Sequence, residues 1–233
     1  MNEEIELFNN YYHSFKEDNP MYKSKYDHTF RVVGYAKLIS KMLNLNNLDT
    51  NKALICALFH DIGRFNEAKL YNDFSYKKFD HGDEGYKVLK ELNYNDNIVL
   101  LSTKYHNKYS LPDNLDSKTK MFCEITRDTD KLDIMATQCL VIDKNDQINK
   151  EIIKDILNGK LVSSQNIHNK TDALLRCISF IFDINFEESF KILLDNKIIE
   201  NKLKILKDNN DDKMVNKIVS FINKYLEERL NKC

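Results

Sequence analysis

A chain of 233 residues with 42% hydrophobic side chains, 13 Phe and 12 Tyr is too apolar for a disordered polymer and long enough to bury a core. Its 35 basic and 36 acidic side chains leave a formal net charge of -1, which argues against extended nucleic-acid binding but leaves room for a small phosphorylated ligand. With 5 Gly and 2 Pro there are few breaks, so long helices are expected.

Residues 3–17 carry Ile5, Phe8, Tyr12 and Phe15 at helical spacing, a short helix packed over the main body. Beyond Pro20, residues 22–44 place Val32, Ala36, Ile39 and Leu43 on one face, with His28 one turn before Val32 and therefore buried. Asp49 is expected to cap a helix running to Asp61, with Gly63 as its C-terminal stop. His60 and Asp61 end that helix. Their side chains diverge by about 100° on an α-helix, and both reach one metal if the turn loosens after them. Residues 72–80 read as a loop, and His81 opens a helix through Val88, Leu89 and Leu92. The next helix spans 96–107 and ends at His106. A loop with Pro112 leads to Ser117, the expected N-cap of a long helix to about Leu140. Met121, Ile125, Leu132, Ala136 and Cys139 mark its apolar stripe, and Asp130 lies mid-helix between apolar turns. A carboxylate there needs neutralising, by a metal, by Arg127 or by Lys131. Residues 147–158 and 171–183 are further helices, and the last fifty residues read as two surface-capping helices. No segment alternates with period two for long. The expectation is an all-α helical bundle in a single domain over 1–233, with 22–140 as its core, 1–20 as an N-terminal helix and 141–233 as an extension.

The chemistry lies in one ordered series: His28, His60-Asp61, His81, His106 and Asp130, holding four of the six histidines. Neutral imidazole nitrogens and anionic carboxylate oxygens are a ligand set for divalent or trivalent metal. A single histidine on an apolar helix face is more often a hydrogen-bonded core residue. Six such residues in series are harder to ascribe to coincidence. Helical bundles build metal sites from inward-pointing side chains on facing helices. Near these residues, Arg64 follows the His-Asp pair just past a helix end, Lys131 follows Asp130, Arg31 is one turn from His28, and Lys104 is close to His106. Arg64 could instead cap the carbonyls of the preceding helix. Glu67, Asp83 and Glu84 read as a solvated helix start, Asp133 as a neighbour of the ligands or a surface group, His13 and His168 as surface residues, and Phe79 and Tyr105 as packing groups.

The ordered series, with the string His60-Asp61-Ile62-Gly63-Arg64-Phe65, resembles the HD-domain superfamily of metal-dependent phosphohydrolases over about residues 22–140. The local string is similar to a bacterial subgroup whose C-terminal helical extension resembles the surroundings of Phe182-Asp183-Ile184-Asn185-Phe186. The resemblance implies one metal on His28, His60, Asp61 and Asp130, and a possible second on His81 and His106 with Asp61 bridging. It implies one or two divalent ions, with Mn, Mg, Fe, Co, Ni and Zn all open. Metal-activated water would be the nucleophile, against a phosphate ester or anhydride of a nucleotide or related small molecule. Asp61, His81 and His106 would serve catalysis. With a single ion, His81 and His106 would contact substrate or transfer protons. Phosphate contact falls to Arg64 and Lys131 first, then Arg31 and Lys104. The chain lacks the Gly-Tyr-Pro signature of the cyclic-dinucleotide phosphodiesterases. Two other classes stay open: a di-iron oxygenase of the inositol-oxygenase kind, and a non-catalytic nucleotide- or metal-binding module.

The cysteines Cys56, Cys123, Cys139, Cys177 and Cys233 form no C-x-x-C pair, as expected of reduced thiols. The acidic start Met1-Asn2-Glu3-Glu4 fits neither a secretory leader nor a transit peptide, and no apolar run reaches membrane-spanning length, so a cytoplasmic location without membrane contact is expected. The apolar stripes are compatible with a homodimer.

Overall fold

The computed structural model describes residues 1–15, 18–74, 79–138, 141–144, 146–209 and 213–230. Cys139, Cys233, the end of the expected long helix at Leu140, and 75–78 of the expected loop lie outside them. The described residues form twelve α-helices and two 3-10 turns, with no strand among them. The chain divides into two compact units, Met1–Asp133 and Ile134–Cys233. No helix among the described residues is long and apolar enough to cross a membrane.

In the first unit, α1 (Asn2–His13) buries Phe8 completely. Its ring lies 5.9 Å from those of Tyr26 and Phe65, 6.0 Å from Phe30 and 6.5 Å from Phe59. Burying one such side chain contributes about 1.5–3 kcal/mol. The cluster ties α1 to the segment that follows the His-Asp pair. Helix α2 (Pro20–Met42) starts at Pro20, with the Asn19 side chain accepting a hydrogen bond from Met21 N at 2.9 Å. His28, Val32, Ala36 and Ile39 are buried on its inner face, as the spacing predicts. Small Ala36 and Ala57 meet at the contact with α3 (Asn47–Phe59), so the two backbones approach closely.

Several expected boundaries move. Asn46, not Asp49, caps α3, accepting from Asp49 N. Asp116, not Ser117, caps α7 (Ser117–Thr137), accepting from Lys118 N and Thr119 N at 3.0 Å. Met135 rather than Ala136 is buried on the stripe of α7. A helix absent from the sequence reading, α4 (Arg64–Tyr71), follows Gly63 directly. It is closed by Asn72 in the left-handed region at φ 47°, where an asparagine is tolerated. Helices α5 (His81–Glu91) and α6 (Asn97–Tyr105) are capped by Asp80 and Asp96.

Gly63 is not a left-handed stop. Its φ of -69° is ordinary helical backbone. What it supplies is space: a Cβ there would lie 2.2 Å from His81 O and 2.6 Å from Gly85 N. Gly82 likewise lets α5 sit against α6, because its Cβ would meet Lys104 O at 2.6 Å. These approaches set where His81 enters the unit.

The second unit continues α7 and adds α8 (Lys150–Leu157), α9 (Lys170–Ser179), α10 (Glu187–Asp195), α11 (Ile198–Asn209) and α12 (Lys213–Leu230). Among the described residues the C-terminal fifty positions thus hold three helices, not two. They are more than a cover: Leu193, Leu206, Val215, Ile218 and Ile222 are fully buried. Buried Asp172 accepts hydrogen bonds from Asn149 N at 3.0 Å and His168 N at 3.1 Å, which ties the turn before α8 to the start of α9.

Candidate metal centre

The turn between α3 and α4 separates His60 from Asp61. Ile62 N donates to Phe59 O at 3.1 Å and Arg64 N to Asp61 O at 2.9 Å, both i to i+3 bonds. The turn therefore tightens, whereas the condition for both side chains to reach one metal was that it loosen. Neighbouring side chains diverge by roughly 120° in a 3-10 turn. His60 and Asp61 accordingly join different groups of donor atoms. His28, His60 and Asp130 form one trio, and Asp61, His81 and His106 the other, each with ligand atoms within 4.8 Å of one another. All six predicted ligands thus converge, drawn from α2, the α3–α4 turn, α5, the end of α6 and α7.

In the first trio His28 Nε2 lies 3.2 Å from His60 Nε2 and 3.1 Å from Asp130 Oδ1. In the second, His81 Nε2 lies 3.1 Å from His106 Nε2. Asp61 faces both. Its Oδ2 is 3.5 Å from His28 Nε2 and 3.7 Å from His60 Nε2, while its Oδ1 is 3.5 Å from His81 Nε2 and 3.3 Å from His106 Nε2.

Three imidazoles have a hydrogen-bond acceptor behind Nδ1: Asp133 Oδ2 at 2.6 Å for His28, Ala57 O at 2.7 Å for His60 and Thr103 O at 2.7 Å for His106. A proton held on Nδ1 leaves the Nε2 lone pair facing the cluster. Behind His81 Nδ1 stands Asn107 Nδ2 at 3.4 Å, a donor, so this ring lacks that brace among the described residues. Imidazole nitrogens of His28, His60, His81 and His106 face the carboxylates of Asp61 and Asp130, and nitrogen and anionic oxygen donors gathered in this way fit metal.

Electrostatics reinforce the grouping. Burial pushes the Asp61 carboxyl up, but Lys25 and His60 outweigh it and hold it well below the usual range. Asp130 is held well below in the same way, with His28 and His60 overcoming burial. Burial pushes His28 down, yet hydrogen bonds to Asp130 and Asp133 raise it to about 9. Burial, then the positive charge of Arg64, hold His81 well below the usual range. Burial also lowers His106, against the pull of Asp61.

The basic residues named from sequence take several places. Arg64 Nε is buried without a hydrogen-bond partner among the described residues, 3.7 Å from Asp61 Oδ1, while its Nη1 donates to Glu67 Oε2 at 2.6 Å and Phe74 O at 3.2 Å. Arg31 is a buttress: its Nε and Nη2 hold the two Asp133 oxygens at 2.7 and 3.0 Å. Lys131 is buried and donates to Arg127 O at 3.3 Å. Lys104 projects its ammonium over the rings of Tyr86 and Tyr105, at 5.2 and 5.7 Å, and nothing brings it to the cluster.

Other expectations are corrected. Glu67 is not solvated; it is 1% exposed and bound to Arg64. Arg127 extends its guanidinium to backbone carbonyls. Its Nη1 collects the carbonyl oxygens of Tyr105, His106 and Lys108, and its Nη2 that of Tyr109, which closes the end of α6 that carries His106. Asp133 belongs beside the ligands, being fully buried behind His28. His13 and His168 are exposed, as expected. Lys25 escaped the sequence reading altogether. Its ammonium lies 2.8 Å from Asp61 Oδ2. The available signal was its position one turn before His28, on the same helix face.

The protein-family model described as HD domain matches residues 26–138. Neither a curated protein nor a solved structure matches the chain.

Proposed function

The chain belongs, through its matched segment, to the HD-domain superfamily, and from that premise we propose that it is a metal-dependent phosphohydrolase. It cleaves an ester or anhydride of a small phosphorylated molecule, with nucleotides the first class to examine. One observation carries the reading: the two oxygens of a single buried carboxylate, Asp61, face two separate groups of imidazole nitrogens. His28, His60 and Asp130 would hold one divalent ion and His81 and His106 would hold a second, with Asp61 within reach of both groups. When bound, such ions lower the pKa of water toward ~7 and polarise a phosphoryl oxygen.

The chain's own residues supply orientation and charge. Asp133, gripped by Arg31, fixes the His28 ring so that Nε2 points inward. Arg127 fixes the end of α6 and with it His106. Arg64 presents a buried Nε beside Asp61, where a phosphoryl oxygen would complete its hydrogen bonding.

The test is purified protein with Mn, Mg, Co or Ni against a panel of phosphomonoesters, diesters and nucleoside polyphosphates. Metal-dependent phosphate release is expected, and His60→Ala and Asp61→Ala should each abolish it. Turnover that survives both substitutions contradicts the reading. Oxygen consumption with bound iron, and no phosphate release, would replace it with an oxygenase.

A further inference from the structure

Asp61 is flanked by two cations. Lys25 Nζ lies 2.8 Å from Oδ2 and Arg64 Nε 3.7 Å from Oδ1. Both cations also sit near one ring, Phe74, whose centroid is 5.2 Å from Lys25 Nζ and 5.4 Å from Arg64 Cζ. The neighbouring charges divide unevenly. Asp133 has Arg31, and Glu67 has Arg64. Lys25 is bound only to Asp61 among the described contacts, through the oxygen that also faces His28 and His60.

A divalent ion held by those imidazoles and Asp61 would compete directly with the ammonium for the carboxylate. Once Asp61 gives its charge to the ion, Lys25 is held near like charge and needs a new anion. Its side chain is 17% exposed, so it is not sealed into the unit. Phe74 borders both cations without supplying an acceptor from its ring.

We propose that Lys25, Arg64 and Phe74 form an anion clasp in which metal binding displaces Lys25 from Asp61 and turns it to a phosphoryl oxygen of the substrate. The proposal rests on the phosphohydrolase reading and adds a ligand class to it. A terminal phosphate offers two negative charges and three non-bridging oxygens. A diester phosphate offers one charge and two. A second cation, on the other oxygen of Asp61 from Arg64, favours the terminal phosphate.

The test uses calorimetry on the full chain, first with Mn²⁺ alone and then with inorganic phosphate added to the Mn-loaded protein. Dimethyl phosphate serves as the diester probe. Lys25→Met and Lys25→Gln both remove the charge, so the test does not depend on one variant folding, and Lys25→Arg preserves it. The neutral variants should bind Mn²⁺ more tightly than wild type, because a competing cation is gone. They should bind phosphate more weakly by roughly tenfold or more, the size of one charge-assisted hydrogen bond. Lys25→Arg should stay close to wild type in phosphate affinity, and wild type should prefer phosphate to dimethyl phosphate. Unchanged phosphate affinity in both neutral variants, or weaker Mn²⁺ binding, overturns the clasp and leaves the phosphohydrolase reading standing. Wild-type protein that binds Mn²⁺ but neither phosphate probe overturns both.

Discussion

The two halves of the centre are built from the same kinds of side chain but are braced differently. His28 is backed by a buried carboxylate that is itself gripped by an arginine, and His60 by a backbone carbonyl within its own turn. His81 sits at the first position of α5 with an amide donor behind it, and its location depends on the backbone contact at Gly63. His60 and His106 are held alike by a carbonyl behind Nδ1, so the difference lies in the other ring of each trio: His28 is fixed by charge and hydrogen bonds, His81 by how closely two helix backbones approach. Ligands braced by carboxylates hold metal tightly, while a ring lacking that brace yields its ion more readily. The centre is therefore expected to hold one ion firmly and the other loosely.

Removing the residue common to both halves should do the most damage. Asp61→Ala is expected to lower phosphate release by on the order of 10³-fold or more, measured by kcat/KM, and to remove both ions. If only one ion is lost, the carboxylate is not shared and the comparison fails. His28→Ala and His81→Ala separate the trios: the former should strip the tightly held ion, the latter only the weaker one. Equal losses of metal would erase the proposed asymmetry.

Next in size is Gly63→Ala. The added methyl collides with the His81 backbone, which forces α5 away at about 1–3 kcal/mol of stability. Thermal unfolding should register that loss, and metal analysis should show the weaker ion affected more than the tighter. Asp133→Asn should show the opposite pattern, costing roughly 10- to 100-fold in affinity for the tighter ion.

The smallest effect is protonic. In the metal-free protein His28, raised to about 9, carries a proton at neutral pH. Metal binding at pH 7 should therefore release about one proton from this ring, visible as a dependence of the calorimetric heat on buffer ionisation. The same raised value means that His28 contributes stability to the metal-free protein fully below the unfolded pKa near ~6.5. That contribution is lost as pH rises through about 9. His81 and His106 act in the other direction. Their lowered values make the unfolded chain the better proton acceptor, so metal-free stability falls as pH drops below ~6.5.

The candidate ligands stood out in the sequence because each lies at a helix end or on a buried face, where an imidazole or carboxylate conflicts with its apolar neighbours. Asp130, between the buried apolar positions Ile125 and Leu132 of α7, is such a case. What braces the ligands was not legible, because the partners meet only in space. Lys25 and Asp61 are 36 residues apart, and His28 and Asp133 are 105 apart. Local spacing pairs Asp130 with Arg127, one turn away, whereas the fold sends that guanidinium to the end of another helix. Helix α4 was missed because its first turn includes buried Phe65, Glu67 and Ala68 with no clean apolar stripe. Gly63 was misread for a related reason: sequence suggests a backbone angle, and only the fold reveals a close approach.

The central claim is that six side chains from α2, the α3–α4 turn, α5, the end of α6 and α7 enclose one inorganic centre with Asp61 in common. Metal content after equilibrium dialysis against Mn²⁺, compared between wild type and Asp61→Ala, tests it most directly. The account predicts tightly bound metal in the wild type and none retained by the variant at the same free concentration. Equal metal in both proteins, or none in either, would contradict it.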